Sequence, residues 1–279
     1  MFYRPEGNQS SGIPLFLLAI LLAASFSANA VPSVSYWALW DESDNGNPST
    51  IDHAELSLIL NTYVVTDHPS GINRFRYGSV SKDHKQRLEH YIAGLEKIDP
   101  RRYSRDEQKV YWMNLYNALT INMVLDNYPV ASIRDISGGH GKDPWDKKLT
   151  QVVGEELSLN DIEHRILRPI WKDFKIHFGL VCASLGCPNI QPTDFTVANH
   201  RSLLKEAGRE FVNHSRGLQL EKNKLRVSSL FDWYEKDFAP DRKTLLKIFA
   251  HYADDRKALY LLGFNGDISY NYDWRINSP

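Results

Sequence analysis

The alternation of apolar and polar positions predicts more helices than strands along this chain. Apolar residues recur at helical spacing through residues 51–64 and 83–98, and the second of these segments carries charges on its opposite face. Residues 104–128 are apolar nearly all round, and Ser104 with Glu107 three positions later is typical of a helix N-terminus. A central buried helix is therefore predicted to begin after Ser104 and to end before Pro129.

The second half of the chain predicts two hairpins among further helices. The turns are expected at Gly154 and at Lys222-Asn223. Residues 176–181 form a short apolar run that predicts a strand ending just before Cys182. Further elements are predicted as helices over residues 162–171, 197–215, 229–238 and 244–255, and as a terminal strand over 268–277. Because no βαβ order repeats, the predicted fold class is α+β, mainly helical with short antiparallel strands.

The first thirty residues have a different character from the rest. The apolar run of residues 13–27 is about 15 residues long, which is short of the ~20 needed to cross a bilayer as a helix. Ala28-Asn29-Ala30 then supplies the small residues that a signal peptidase requires. We therefore predict a signal peptide over residues 1–30, and an uncleaved anchor is the alternative and the only expected link to a membrane.

Removal of the leader would leave residues 31–279 as a single domain with a helical lead over 31–82. A periplasmic or secreted location follows from this prediction. With 42% hydrophobic residues the chain can build its own core. Its net charge of −1 provides no positive electrostatic field to attract nucleic acid, so we predict no nucleic-acid partner. No cofactor is predicted either, and the expected partner is a small-molecule or peptide substrate.

Cys182 and Cys187 are the only two cysteines, and they lie in the segment FGLVCASLGCP. Export would allow a disulfide between them, although closing so short a loop stabilises the fold by only ~2 kcal/mol. His164 and His177 could complete a tetrahedral metal set, but no second paired motif supports a zinc site. The third interpretation makes Cys182 a nucleophile.

A nucleophilic Cys182 would stand where the predicted strand ends and the chain turns. The small residues Ala183, Ser184 and Gly186 would allow a substrate to approach and leave backbone N–H groups free, as an oxyanion hole requires. A cysteine nucleophile also needs a base. His164, near the start of a predicted helix, is the candidate, although a packed structural histidine is an equally good interpretation.

Polar residues on the predicted helices complete the candidate site. Asn117 is predicted to orient the His164 ring, because a buried amide must find a partner. Asn114 shares its helix face and is expected to contact substrate or to clamp a loop. Glu163 and Arg168 are predicted to pair with each other or to line the substrate pocket. The other candidates for orienting His164 are Asn114, Asp232 and Asp237.

Five motifs in a fixed order resemble a known family. They are WMNLYNALTIN (112–122), IEHRILR (162–168), HFGLVCASLGCP (177–188), SSLFDWYEKDF (228–238) and YNYDWRIN (270–277). Together they resemble the DUF547 family, a domain of unknown function found in bacterial exported proteins and in plant proteins. The resemblance covers roughly Asp83 to Asn277 and implies no particular activity.

The family pattern bears on individual residues of the candidate site. The resemblance implies that the position of Cys182 is usually cysteine, whereas that of Cys187 can be serine. A disulfide between them would then not be the family's common feature. Glu163, His164 and Arg168 fall on the motif IEHxxLR.

The leading hypothesis is thiol-dependent acyl transfer or hydrolysis of an amide or thioester. Cys182 would attack the carbonyl with His164 as base, in a papain-like or transglutaminase-like core. The alternative is a non-enzymatic envelope module that binds a peptide or small ligand, with Cys182 buried or bonded to Cys187. A thiol-redox role is a third hypothesis, for which a C-x-x-C spacing would be expected.

Overall fold

The computed structural model describes residues 1–2, 32–137 and 143–279. The predicted signal peptide therefore lies outside the described residues, apart from the first two positions. From Pro32 onward the chain packs as one unit. Its α-helices are α1 (Ala54–Tyr63), α2 (Lys82–Leu95), α3 (Arg105–Asn127), α4 (Arg168–Trp171), α5 (His200–Asn213), α6 (Leu230–Trp233), α7 (Glu235–Phe238), α8 (Arg242–Tyr252) and α9 (Asp255–Leu262). A π-helix, Asp161–Leu167, leads directly into α4.

The strands are short and form three small sheets. They are β1 (Val64–Val65), β2 (Arg74–Phe75), β3 (Lys148–Val152), β4 (Glu155–Ser158), β5 (Leu218–Glu221), β6 (Lys224–Ser228) and β7 (Asp267–Asn271). The pairs β1–β2, β3–β4 and β5–β6 are antiparallel, whereas β7 lies parallel to β6. The predicted α+β class, mainly helical with short antiparallel strands, is confirmed, and both predicted hairpins are present. A papain-like or transglutaminase-like core stays a prediction.

Helix α3 runs through the centre of the larger of two hydrophobic clusters and is buried nearly all round, as predicted. Its N-cap is Ser104, whose Oγ accepts a hydrogen bond from the Glu107 N–H at 3.3 Å. The Glu107 carboxylate does not return to the cap but accepts a hydrogen bond from the Ile51 N–H at 2.7 Å. The same glutamate therefore ties the entry to α1 onto the central helix.

The predicted strand over residues 176–181 is wrong. Phe174–Phe178 is a 3-10 helix, capped by the Asp173 side chain. The N–H groups of Gly179 and Leu180 both bond to the Ile176 carbonyl, so the chain turns back on itself instead of pairing with a strand. The run is apolar because it is buried between the two clusters, and apolar runs of this length do not distinguish a strand from other buried backbone.

Phenylalanine rings pack against one another within the second hydrophobic cluster. Phe231 lies within 6 Å of Phe211, Phe238 and Phe249, with ring centroids 5.8, 4.8 and 4.7 Å away. Phe178 packs against Phe231 at 6.3 Å and thereby joins this cluster to the turn that precedes Cys182. Within the described part of the chain, no helix is long and apolar enough to cross a membrane.

The C-terminal segment crosses back over the loop that holds the two cysteines. After β7, Asp273 and Arg275 accept hydrogen bonds through their carbonyls from the N–H groups of Gly186 and Leu185, both at 2.8 Å. Asn277 donates its N–H to the Ala183 carbonyl at 3.1 Å. The end of the chain therefore fixes the shape of the cysteine loop, over part of the predicted terminal strand.

Candidate thiol site

Cys182 and Cys187 lie at the two ends of a tight turn within residues 179–188, which we call the thiol loop. Both cysteines are free, Cys182 is half-buried and Cys187 is buried. Their sulfur atoms are hydrogen-bonded at 2.7 Å, and the Cys182 N–H donates to Cys187 Sγ at 3.1 Å. The two thiols are thus in contact, although they lie five positions apart and form no C-x-x-C motif.

Two asparagines of α3 hold the backbone on either side of the thiols. Asn117 Oδ1 accepts from the Val181 N–H and its Nδ2 donates to the Gly179 carbonyl, both at 2.9 Å. Asn114 clamps Phe195 in the same way, through bonds of 2.9 and 2.7 Å. The amide of Asn117 is therefore occupied by the thiol loop and is not bonded to His164.

The backbone just after Cys182 has an unusual conformation. Ala183 has a φ of 51°, in the left-handed region that non-glycine residues seldom adopt. Across the described residues, no hydrogen bond occupies the N–H groups of Ala183 and Ser184, whereas those of Leu185 and Gly186 are bonded. Two successive free N–H groups beside a thiol are the donors that an oxyanion hole needs.

The thiol loop packs closely against the C-terminal segment. A Cβ atom on Gly186 would meet the backbone nitrogen of Asp273 at 2.8 Å, so only glycine fits there. Tyr272 shares a hydrogen bond of 2.8 Å with Ser184 Oγ. The Tyr272 ring also packs on Trp233 and Trp274, with centroids 4.8 and 4.6 Å away. Partly exposed aromatic rings therefore border the half-buried thiol.

The two thiols differ in acidity. The hydrogen bond to Cys187, together with burial, raises the pKa of Cys182 well above its ordinary value. Burial also acts to raise the pKa of Cys187, but hydrogen bonds from the Cys182 side chain and N–H and the charge of Arg216 outweigh it and lower that pKa. The first proton to leave the pair thus leaves its negative charge on Cys187.

Glu163 is a buried carboxylate on the π-helix and lies close to the thiols. Its Oε2 accepts from the Tyr116 hydroxyl at 3.1 Å, and its Oε1 is 3.4 Å from His177 Nδ1. Burial acts to raise the Glu163 pKa, but the nearby His164 and the hydrogen bonds from His177 and Tyr234 outweigh it and lower the pKa to about 2. The charge of Glu163 in turn helps to raise the pKa of Cys182.

Arg168 joins His164 to Asp237. Its Nη1 donates to His164 Nδ1 at 2.9 Å, and its Nε and Nη2 form a two-pronged ion pair with the Asp237 carboxylate. His177 Nε2 reaches the same carboxylate at 2.8 Å. Arg168 is thus bonded to His164 and Asp237, and Glu163 to Tyr116 and His177, so the predicted Glu163–Arg168 pair is not among the ion pairs of the described residues.

The His164 ring is held in one tautomer. Because Nδ1 accepts from Arg168, the neutral ring carries its proton on Nε2. Burial, followed by the charge of Arg168, lowers the His164 pKa against the opposing effect of Glu163. No hydrogen bond joins His164 to Cys182 in the part of the chain that the structure describes.

Several residues of this site were not assigned a role from the sequence. Tyr116, Tyr234 and Tyr272 surround Glu163 and the thiols. The charge of Arg216 lowers the pKa of Cys187. The sequence predicts Asp237 only as a possible partner of His164, and His177 only as a possible metal ligand. His177 nevertheless carried a signal, since it lies five positions before Cys182, on the turn that leads into the thiol loop.

Metal binding finds no support at these residues. Among residues 32–137 and 143–279, no group of three or more histidine, cysteine, aspartate or glutamate side chains is arranged to hold a metal ion. The two sulfurs contact each other, whereas His164 and His177 are engaged with Arg168 and with carboxylates.

A family model matches the part of the chain that carries α3, the π-helix and the thiol loop. Residues 100–212 match DUF547, described as a protein of unknown function. This match supports the family resemblance predicted from the motifs. No curated protein and no solved structure matches the chain.

The DUF547 match contains only part of the site. Glu163, His164 and both cysteines fall within it. Asp237 lies beyond its end, as do Arg216 and Tyr272, although all three act on the matched residues. The matched segment therefore depends on the following 67 residues, 213–279, to complete its polar network.

Proposed function

We propose that the protein is a thiol-dependent enzyme that transfers or hydrolyses acyl groups through Cys182. The observation that carries this proposal is the half-buried Cys182 thiol, followed at once by the free N–H groups of Ala183 and Ser184. A thiol and free N–H donors next to it are the groups needed to form and stabilise a tetrahedral intermediate. The proposed substrate is a small molecule or peptide with an amide or thioester.

The proposed reaction begins with proton transfer inside the cysteine pair. As Cys182 Sγ bonds to the carbonyl carbon, its proton passes to the Cys187 thiolate, 2.7 Å away. The carbonyl π-bond becomes an oxyanion held by the Ala183 and Ser184 N–H groups. When the intermediate collapses, the leaving amine or thiol takes the proton from Cys187, and the acyl-enzyme then reacts with water or with an acceptor.

His164 was the base predicted from the sequence, and Cys187 is the acceptor that the geometry favours. The His164 ring is engaged by Arg168, while Cys187 already contacts the attacking sulfur. In this proposal His164, Arg168 and Glu163 set the electrostatics of the site, and Asn117 and Asn114 position its backbone. Each of these side chains is then a positioning residue.

Acylation of the protein by p-nitrophenyl acetate tests the proposal without knowledge of the natural substrate. The folded protein should release nitrophenol in a burst and carry one acetyl group, located by peptide mass on Cys182. Other nucleophiles of the same chain are the internal controls. The buried Cys187 and the surface lysines should not be acetylated. Acetylation spread over lysines, with Cys182 free, would refute the proposal.

A second candidate function is that of a non-enzymatic binding module. A cleft of about 510 Å³ favours it, lined by polar side chains that include Asn73, Gln191 and His214. This candidate predicts that Cys182 gains no acetyl group under the same conditions. The acylation experiment therefore discriminates between the two functions.

We also propose that the protein acts outside the cytoplasm, in the periplasm or after secretion. The apolar run of residues 13–27 and the Ala28–Ala30 cleavage pattern support this proposal. When this 279-residue chain is expressed in a bacterium, the exported form should begin at Val31 and contain 249 residues (279 − 30). An intact mass that includes residues 1–30 would instead indicate a retained anchor.

A further inference from the structure

The polar cleft and the thiol loop meet at Asn189. Asn189 lines the cleft and lies two positions after Cys187. Its Oδ1 accepts from the Asn73 N–H at 2.9 Å and from Arg216 Nη2 at 2.6 Å. His214, on the same wall, accepts the Arg216 N–H at 3.1 Å through Nδ1. Arg216 therefore lies directly behind the wall of the cleft.

The Arg216 guanidinium lacks a full set of partners. Its Nε and Nη1 are buried and have no hydrogen-bond acceptor among the described residues. The Phe211 ring, 5.7 Å away, covers the group, and burial lowers the Arg216 pKa to about 10. A buried guanidinium with two idle N–H donors costs folding free energy that an anion would offset.

A second arginine behind the same wall repeats this feature. Arg74 follows the cleft residue Asn73 and is only 9% exposed. Its Nε is also buried without an acceptor, and its Nη2 donates a long bond of 3.3 Å to Ser70 Oγ. The charge of Arg74 lowers the Arg216 pKa, so the two cations repel each other.

The carboxylates near these arginines do not neutralise them. In the described residues, neither Arg74 nor Arg216 forms an ion pair with aspartate or glutamate, and Asp273 is taken by Arg275 at 2.5 Å. Glu210 faces Arg216 from the cleft, but its Oε2 is bonded to Asn189 Nδ2 at 3.0 Å. Cys187 and Tyr272 also act on Arg216 and raise its pKa.

We propose that the protein binds the carboxylate or phosphate group of a ligand between Arg74 and Arg216, at the wall of the cleft. The unpaired N–H donors are shielded from solvent. The Arg74 and Arg216 side chains therefore move apart when the anion enters. The remainder of the ligand lies along the amide-lined cleft, and its anionic group is held by the two guanidinium groups. This anion site is inferred from the cleft and from the charges of Arg74 and Arg216. It does not depend on the proposed acyl chemistry.

Calorimetric titration with sodium acetate and with inorganic phosphate tests the site, against sodium chloride at matched ionic strength. At least one of the two oxyanions should give saturable heat and raise the melting temperature, whereas chloride should do neither. Acetate binding would identify a carboxylate ligand and phosphate binding a phosphorylated one. Absence of saturable heat with both anions would overturn the proposal, whatever the outcome of the acylation experiment.

Two variants separate this site from general charge effects. Arg216→Gln and Arg74→Gln should each weaken the anion affinity by about tenfold or more, because a charge-assisted contact is lost. Arg87→Gln is the matched control, since Arg87 is already paired with Glu55 at 2.7 Å on the surface. In buffer with chloride as the anion Arg216→Gln should melt no lower than the parent, and unchanged acetate and phosphate affinity in both site variants would refute the assignment.

Discussion

Replacing Asp237 with alanine is expected to lower the free energy of unfolding by about 3–5 kcal/mol, because the change strands the charge of a buried partner. Arg168 is only 8% exposed, and Asp237 supplies both of its ion-pair oxygens. His177 loses its bond of 2.8 Å to the same carboxylate. Urea unfolding of parent and variant at neutral pH measures the difference.

Two further variants calibrate this result. Replacing Arg168 by methionine in the Asp237→Ala background should restore part of the loss, because the uncompensated cation is then absent. Arg201→Ala removes an ion pair of similar length, 2.8 Å to Asp106, whose arginine is 75% exposed. That surface change should cost less than about 1 kcal/mol. Equal losses for Asp237→Ala and Arg201→Ala would contradict the assigned burial of the network.

The same network gives the stability a definite dependence on acidity. In the folded protein the pKa of Glu163 is about 2, and hydrogen bonds from His177 and Arg168 outweigh burial and lower that of Asp237. Unfolded chains bind these protons at their ordinary pKa values near 4, so the stabilisation is complete above about pH 4–5 and is lost as the pH falls toward 2. The Asp237→Ala variant should show a shallower loss over this acidic range.

Replacing Cys182 with serine is expected to lower the rate of nitrophenol release from p-nitrophenyl acetate by a factor on the order of 10³ or more, because the thiol nucleophile is removed. The melting temperature should change little, since the half-buried side chain is replaced by one of similar size. Serine at Cys187 provides the matched comparison, because it preserves the loop but cannot hold the negative charge of the pair.

The Cys187→Ser variant should retain activity but shift its pH profile. Without Cys187 as proton acceptor, Cys182 must ionise on its own, and burial and the charge of Glu163 still hold its pKa above the ordinary thiol value of about 8.5. At pH 7 the rate should therefore fall by about tenfold or more and should recover as the pH rises. Identical pH profiles for the parent and Cys187→Ser would exclude Cys187 as the proton acceptor and would favour His164 as the base.

Local chemistry explains which elements the sequence could predict. Ser104 and the apolar run after it define α3, and Gly154 and Lys222-Asn223 define two hairpins, because caps and turns depend on neighbouring residues. The strand predicted over residues 176–181 is wrong because these residues are apolar through burial on two sides. A short apolar run does not distinguish such a buried turn from a strand.

The polar network could be predicted only in part. Three of the predicted site residues, Glu163, His164 and Arg168, belong to it, but other members of the network lie far away in sequence. Asp237 is 69 positions beyond Arg168, and Tyr116 is 47 positions before Glu163. Such pairings depend on how helices pack, which the spacing of residues within one segment does not determine.

The bonds between the thiol loop and residues 273–277 have a consequence for the order in which the site is made. Bonds from the thiol loop to Asp273 and Arg275, and from Asn277 to Ala183, hold the loop in its final shape. A ribosome adds Asp273 85 residues after Pro188 (273 − 188), at roughly 5–20 residues per second, so residues 179–188 wait several seconds for these bonds. The thiol pair is therefore expected to acquire its final geometry only after residues 273–277 have left the ribosome.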